Sequence, residues 1–221
     1  MSQQNTPTAK AATVLLIDDH PLLRNGIKEL LELNSEIKVI AQTNNGHEGV
    51  ALAQQHDPDL ILLDINMPQV DGLETLKLLR AQGITSRIVI FTVSNYEEDV
   101  IKAMKLGADG YLLKDMEPED MLDAIEQICL GKVVVSPEVI TILATSLRSH
   151  KPSSAHPLED LTVREKEILK LIAEGLANKL IARRLKIAES TVKVHVKHLL
   201  KKLNLRSRVE AAVLVHQEGG L

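Results

Sequence analysis

The chain of 221 residues has one cysteine, Cys129, and no apolar run approaching eighteen residues. A lone cysteine excludes an internal disulfide, and the short apolar runs exclude a membrane-spanning helix. Cys129 falls in an apolar helical pattern with Leu122 and Ile125, as a small core residue would. The first ten residues are polar and lack the apolar centre of a signal peptide. No G-x-G-x-x-G and no Walker A loop occurs, so nucleotide binding has no support. These absences lead to the expectation of a soluble cytoplasmic protein without direct membrane contact, preceded by a disordered tail over residues 1–12.

What is there is unevenly distributed. Residues 1–149 carry 12 Lys/Arg against 22 Asp/Glu, whereas residues 150–221 carry 14 against 8. An acidic first part and a basic second part suggest two domains with different partners, nucleic acid being the candidate for the second.

Between residues 13 and 130 strand-like and helix-like segments alternate. Strands are expected at 13–17, 37–41, 59–63, 87–91 and 110–113, and helices at 21–33, 46–56, 71–81, 97–107 and 118–130. Five such units predict a five-stranded parallel, doubly wound sheet over residues 13–131. Ser136-Pro137-Glu138 reads as an N-cap with proline at the first helical position. It opens a short linker helix to about residue 147, and the polar, proline-containing stretch 149–157 completes a linker over 132–157. Residues 158–221 read as a small all-α domain. Thr162-Val163-Arg164-Glu165 is a capping box, a short helix follows at 178–185, a longer one at 190–203, and a last at 207–217. Two helices joined by a tight turn, as at 186–188, form a helix-turn-helix unit.

Chemistry concentrates at strand ends. Val14-Leu15-Leu16-Ile17 reads as a buried strand and stops at Asp18-Asp19, while Leu60-Ile61-Leu62-Leu63 stops at Asp64. A doubly wound sheet places the carboxyl ends of its strands on one rim, where ligands bind. Three carboxylates gathered there repel one another unless a hard cation lies among them, and oxygen ligands with room for water and phosphate suit Mg²⁺. The first domain is thus expected to hold Mg²⁺ beside a nucleophilic Asp64.

With these motifs in view, residues 13–130 resemble the receiver domain of two-component response regulators, a flavodoxin- or CheY-like fold. Asp18-Asp19 resembles the acidic pair, and Asp64 before Ile65-Asn66-Met67-Pro68 the phosphoacceptor. Thr92 matches the hydroxyl position, and Lys114 in Gly110-Tyr111-Leu112-Leu113-Lys114 the lysine. The resemblance implies metal ligation by Asp19, Asp64 and the backbone carbonyl of Asn66, with Asp18 acting mainly through water. It implies that Lys114 and Thr92 donate to the phosphoryl group, and that Tyr111 is an aromatic switch. Where the family often has proline after the lysine, this chain has Asp115.

In the second domain Lys193, Lys197 and Lys201 recur at spacing four on one helix face, where like charges repel. A polyanion such as DNA relieves that cost. The blocks at 161–169 and 191–197 resemble the LuxR/FixJ-type helix-turn-helix domain, with 178–185 the scaffold helix and 190–203 the recognition helix in the major groove. Lys193, Val194 and Lys197 are expected to reach base edges. Lys201, Lys202, Arg206 and Arg208 are expected to grip phosphates, and Thr191 to meet one at the helix N-terminus. Val192 and Val196 are expected in the core; His195 and His198 lack a carboxylate or thiol partner and are not read as metal ligands. The family usually has Ser or Thr where Ala188 stands, so Glu189 or Ser190 is expected to cap instead.

In the runs Val93-Ser94-Asn95 through Glu97-Glu98-Asp99-Val100, Gly107 to Asp120 and Glu189 to Leu200, and over nearly its whole length, the chain resembles NarL-type nitrate/nitrite response regulators. The resemblance implies a non-enzymatic transcription regulator, phosphorylated on Asp64 by a membrane sensor histidine kinase. It further implies that the receiver covers the recognition helix until phosphorylation separates the domains, which then pair as a homodimer on inverted half-sites of double-stranded DNA. Two rivals remain. One is a constitutive DNA-binding protein with a phosphorylation-independent dimerisation module. The other is an aspartyl-phosphate phosphatase, which usually needs a carboxylate where this chain has Asn66.

Overall fold

The computed structural model describes residues 11–94, 96–130, 158 and 160–217. The expected linker helix and linker fall outside the described residues, as does most of the expected tail.

In the first domain β1 (Ala12–Ile17), β2 (Ile37–Thr43), β3 (Leu60–Leu63), β4 (Arg87–Thr92) and β5 (Gly110–Leu113) alternate with five helices. These are α1 (Pro21–Glu32), α2 (Gly46–His56), α3 (Gly72–Ala81), α4 (Glu97–Leu106) and α5 (Pro118–Leu130). All strand pairs are parallel and the order is β2-β1-β3-β4-β5. That is the flavodoxin-like order, whose switch point lies between β1 and β3. The expected element types all appear, with ends displaced by at most two residues; β2 continues to Thr43, and β3 starts at Leu60 because the Asp59 carboxylate turns back to Thr13.

The apolar strand runs are buried on both sides, as a helix-covered parallel sheet requires. Leu15, Ile17, Ile61, Leu63, Ile88 and Ile90 face Leu76 and Leu79 of α3 and Met104 of α4. Val14, Leu16, Leu62, Val89 and Phe91 face Ile27 and Leu31 of α1 and Ile125 of α5.

The second domain comprises α6 (Val163–Ala173), α7 (Asn178–Leu185), α8 (Glu189–Lys202) and α9 (Arg208–Gln217). Its own core joins Ile168, Leu169 and Ile172, Ile181, Val192, Val196 and Leu199, and Ala211 and Val215. The expected capping box is present, with the Glu165 backbone N–H donating to Thr162 Oγ1 at 3.3 Å and the Thr162 N–H to Glu165 Oε2 at 2.8 Å. Val209 and Val213 of α9 instead pack on the receiver's core cluster, joining the two domains.

Candidate functional sites at the two edges of the sheet

Strand register assembles the first site. Ile17 pairs with Leu63, and Thr92 with Leu113, so the residues immediately following β1, β3 and β5 reach one rim together with Thr92. Lys114 Nζ lies 2.6 Å from Asp64 Oδ2 and 2.8 Å from Asp18 Oδ2. The three side chains are 5%, 1% and 6% exposed, too deep for a surface ion pair. Removing the lysine would leave two desolvated carboxylates facing each other. The Asn66 backbone N–H donates to Asp64 Oδ1 at 3.2 Å, and its amide donates to Thr92 Oγ1 at 3.3 Å. Thr92 is fully buried and also accepts from the Ser94 N–H.

Asp18, Asp19, His20 and Asp64 each present a ligand atom within 4.8 Å of the others. Asp18 Oδ2 and Asp19 Oδ1 are buried without an aligned hydrogen bond, an arrangement that suits a hard dication with oxygen ligands. His20 was not singled out by the sequence reasoning. Its position directly after the acidic pair was the available signal, but nothing in the sequence showed which way the ring would turn. As N-cap of α1 it makes no capping bond; its Nδ1 lies 2.8 Å from Asp19 Oδ1, 3.4 Å from Asp18 Oδ1 and 3.9 Å from Asp64 Oδ2. Arg24, also not anticipated, donates to the Asp18 backbone carbonyl at 2.5 Å.

Tyr111 is half-buried, and its hydroxyl donates to the Ser94 backbone carbonyl at 2.8 Å. Burial, aided by the Asp99 and Asp64 charges and outweighing the bond to Ser94, pushes its pKa up from 10.0 to about 12. A group that folding makes harder to ionise contributes stability intact below its unfolded value and loses it as pH climbs toward its folded one. The chain has two tyrosines. Absorbance titration of a Tyr96→Phe variant, in which Tyr111 alone remains, should therefore show phenolate forming near pH 12; a midpoint near 10 would place the ring in solvent.

The second site lies at the opposite edge, where the chain enters the strands. Lys193 of α8 pairs with Asp57 at 3.0 Å and Asp59 at 3.6 Å and donates to the Asp57 carbonyl at 2.8 Å. Asp57 ends α2 in the left-handed conformation (φ 44°), turning the chain so that its carboxylate and carbonyl both meet that ammonium. For Asp59, burial tends to raise the pKa, but the Thr13 N–H and the Lys193 charge outweigh it and hold the group low. Lys197 lies over Gly83: a Cβ there would come 2.9 Å from Lys197 Cε, and the φ of 72° already favours glycine. The Arg206 guanidinium donates to the Lys105 carbonyl.

Thr191, Val194, Lys197, Lys201, Lys202 and Arg206 are exposed, whereas Arg208 is buried, and both Lys202 and Arg208 already have partners. Lys202 bonds Glu165 Oε2 at 2.7 Å within the domain. Arg208 is buried where the domains meet; its guanidinium donates to Asn178, its backbone N–H to Asp109 Oδ1, and burial pushes its pKa down to about 9. The expected capping of α8 is also corrected. The N-cap is Ala188 itself, without a side-chain capping bond, and the helix begins at Glu189. Neither Glu189 nor Ser190 can cap because both already lie inside the helix.

Comparison with known proteins agrees with both halves. The response regulator receiver domain family matches residues 14–126, and the LuxR family of bacterial regulatory proteins matches residues 159–215. The nitrate/nitrite response regulator NarL of Escherichia coli K12 is 59% identical over 207 residues, covering 94% of this chain and 96% of the relative. The chain belongs to the NarL-type response regulators. A Haemophilus influenzae homologue is 49% identical, covering 93% of this chain and 96% of its own. Among solved structures, a LuxR-family response regulator from Aurantimonas is 30% identical with a TM-score of 0.55, covering 64% of this chain and all of that one. As a NarL-type protein the chain is a DNA-binding two-component transcription regulator rather than a metabolic enzyme. No helix among its described residues is long and apolar enough to cross a membrane.

Proposed function

We propose that this NarL-type regulator is phosphorylated on Asp64 by a membrane sensor histidine kinase, that phosphorylation frees α8 to bind DNA, and that the stimulus is nitrate or nitrite. The observation that carries the reading is the capture of Lys193, an expected base-reading residue, by the receiver's own Asp57 and Asp59.

Asp64 is the nucleophile: one of its carboxylate oxygens forms the bond to phosphorus as the bond from phosphorus to the donor's histidine breaks. Asp19, Asp64 and the Asn66 carbonyl, with Asp18 through water, would hold Mg²⁺, which neutralises charge on the transferred phosphoryl group. Lys114 moves from the Asp18–Asp64 pair to a phosphoryl oxygen. Thr92, which now accepts from Asn66 and Ser94, turns its proton to another. Movement of Thr92 shifts Ser94, the hydrogen-bond partner of Tyr111, and so begins the switch.

The two sites stand at opposite ends of β3, which separates Asp59 from Asp64 by about 16 Å at some 3.3 Å per residue. Direct repulsion between phosphoryl group and recognition helix is therefore weak, and coupling runs through packing of the receiver. Once freed, Lys193, Val194 and Lys197 read bases in the major groove, while Thr191, Lys201 and Arg206 contact phosphates. Lys202 and Arg208 join them only by exchanging Glu165, Asn178 and Asp109 for DNA. The uncapped N-terminus of α8 leaves backbone N–H groups for a phosphate. Two phosphorylated copies bind inverted half-sites as a dimer.

The test is binding of the full-length protein to a duplex with two inverted half-sites, with and without beryllofluoride and Mg²⁺. Allosteric couplings typically amount to about 5–150-fold in affinity, and a gain in that range is expected. Equal binding in both conditions would favour the constitutive DNA-binding reading.

A further inference from the structure

We infer that His20 adds an imidazole ligand to the Asp18–Asp19–Asp64 pocket, giving it a nitrogen donor that selects first-row transition dications over Mg²⁺. The inference rests on that pocket being the divalent-cation site of phosphotransfer.

Proximity is the first argument. His20 Nδ1 lies 2.8 Å from Asp19 Oδ1, 3.4 Å from Asp18 Oδ1 and 3.9 Å from Asp64 Oδ2, so one ring nitrogen reaches all three carboxylates. Lys114 Nζ pairs with Asp18 Oδ2 at 2.8 Å and with Asp64 Oδ2 at 2.6 Å from the buried side, fixing the carboxylates that the ring faces. Ligand atoms from all four residues lie within 4.8 Å of one another, slightly more than the span of about 4.4 Å across an ion with ligands about 2.2 Å away, so a small inward movement brings them to one ion.

Chain geometry is the second argument. His20 ends the loop from β1 as the N-cap of α1, with an extended backbone (φ −88°, ψ 101°). Proline at the next position fixes the helix start. The ring makes no capping bond and is turned to the carboxylates instead. Its side chain is 63% exposed, so it can close over an entering ion from the solvent side while the carboxylates hold it from below.

The chemistry then sets the preference. Mg²⁺ takes oxygen ligands and gains little from imidazole, whereas Mn²⁺, Co²⁺ and Zn²⁺ accept nitrogen readily and increasingly along the series to copper. A pocket of carboxylates with one imidazole therefore binds Mg²⁺ through its oxygens and a transition dication through both kinds of donor.

The experiment titrates the full-length protein separately with Mg²⁺ and Co²⁺, by calorimetry and by the visible d–d bands of Co²⁺, in wild type, His20→Ala, His20→Asn and Asp19→Asn. Even an outer-shell partner of a metal ligand is worth about 10–100-fold in metal affinity, and loss of His20 should lower the Co²⁺-to-Mg²⁺ affinity ratio by at least that much. His20→Asn keeps a polar group beside Asp19 without the imidazole; it should lose the same preference, together with the nitrogen-donor shift of the d–d bands. An unchanged ratio in both His20 variants, or bands identical to wild type, overturns the inference. Asp19→Asn separates the underlying reading: Mg²⁺ affinity that does not fall in that variant means the pocket is not the cation site at all.

Discussion

In Asp64→Asn, incubation with a phosphoryl donor and Mg²⁺ should leave the intact mass of the protein unchanged, and DNA affinity should be the same with and without the donor. An amide nitrogen whose lone pair is delocalised into its carbonyl is a poor nucleophile, and no other carboxylate occupies the same place. Asp18 lies on the neighbouring strand end and shares Lys114 with Asp64, but the backbone N–H of Asn66 and the Asn66–Thr92 contact are built around Asp64. Asparagine preserves the volume, so the fold should persist, and circular dichroism and the melting temperature report whether it does. Anisotropy with the two-half-site duplex should show loss of the whole phosphorylation-dependent gain, about 5–150-fold for a coupling of ordinary size. Retention of that gain would move the phosphoacceptor elsewhere and remove the reason for the rim's arrangement.

Val209→Asp should have the opposite effect, raising DNA binding in the absence of any phosphoryl donor. Val209 is 4% exposed and belongs to the receiver's core cluster rather than to that of its own domain. A carboxylate there must be buried in an apolar contact beside Asp109 or be released by separating the domains. Leaving a buried charge uncompensated costs about 3–5 kcal/mol, and each 1.4 kcal/mol is roughly tenfold in an equilibrium constant. The closed-to-open ratio should therefore fall about a hundredfold or more. Added negative charge cannot itself strengthen attraction to phosphates, so a gain in affinity reports exposure of α8. Limited proteolysis supplies the second readout, because cleavage at Lys193 and Lys197 should accelerate. Unchanged binding and unchanged cleavage would mean that the receiver does not restrain the recognition helix in solution.

The sheet and its acidic rim were legible in the sequence because their determinants are local. Continuous apolar runs specify buried parallel strands, and the residue after each run reaches the carboxyl-terminal rim whatever the details of packing. Asp18, Asp64, Thr92 and Lys114 needed only that rule to be brought together. The same holds for the capping box at Thr162 and Glu165, which is a relation between residues three apart, and for Val192 and Val196, whose spacing assigns them to the core of a helix whose other face is basic.

What required the tertiary structure is where a side chain turns and which distant segment it meets. Lys193 and Arg208 both read in the sequence as DNA contacts, one to a base edge and one to a phosphate, yet one is held by Asp57 and Asp59 and the other is buried beside Asp109. Lys202 was expected to face a phosphate, but the buried Glu165, thirty-seven residues earlier, takes its ammonium. Charge patterning registers that a cation is present but not whether a carboxylate from elsewhere already neutralises it. His20 shows the same limit at the rim, where the rotation of one ring decides between a helix cap and a metal ligand. The sequence by itself determined the family, both folds and the place of Asp64 at the end of its strand. The tertiary structure alone decided which basic residues already have partners and that α8 meets the receiver at the end of the sheet opposite Asp64. Local patterns encode strands, helices and caps, whereas the pairing of remote charges depends on how two finished domains come together.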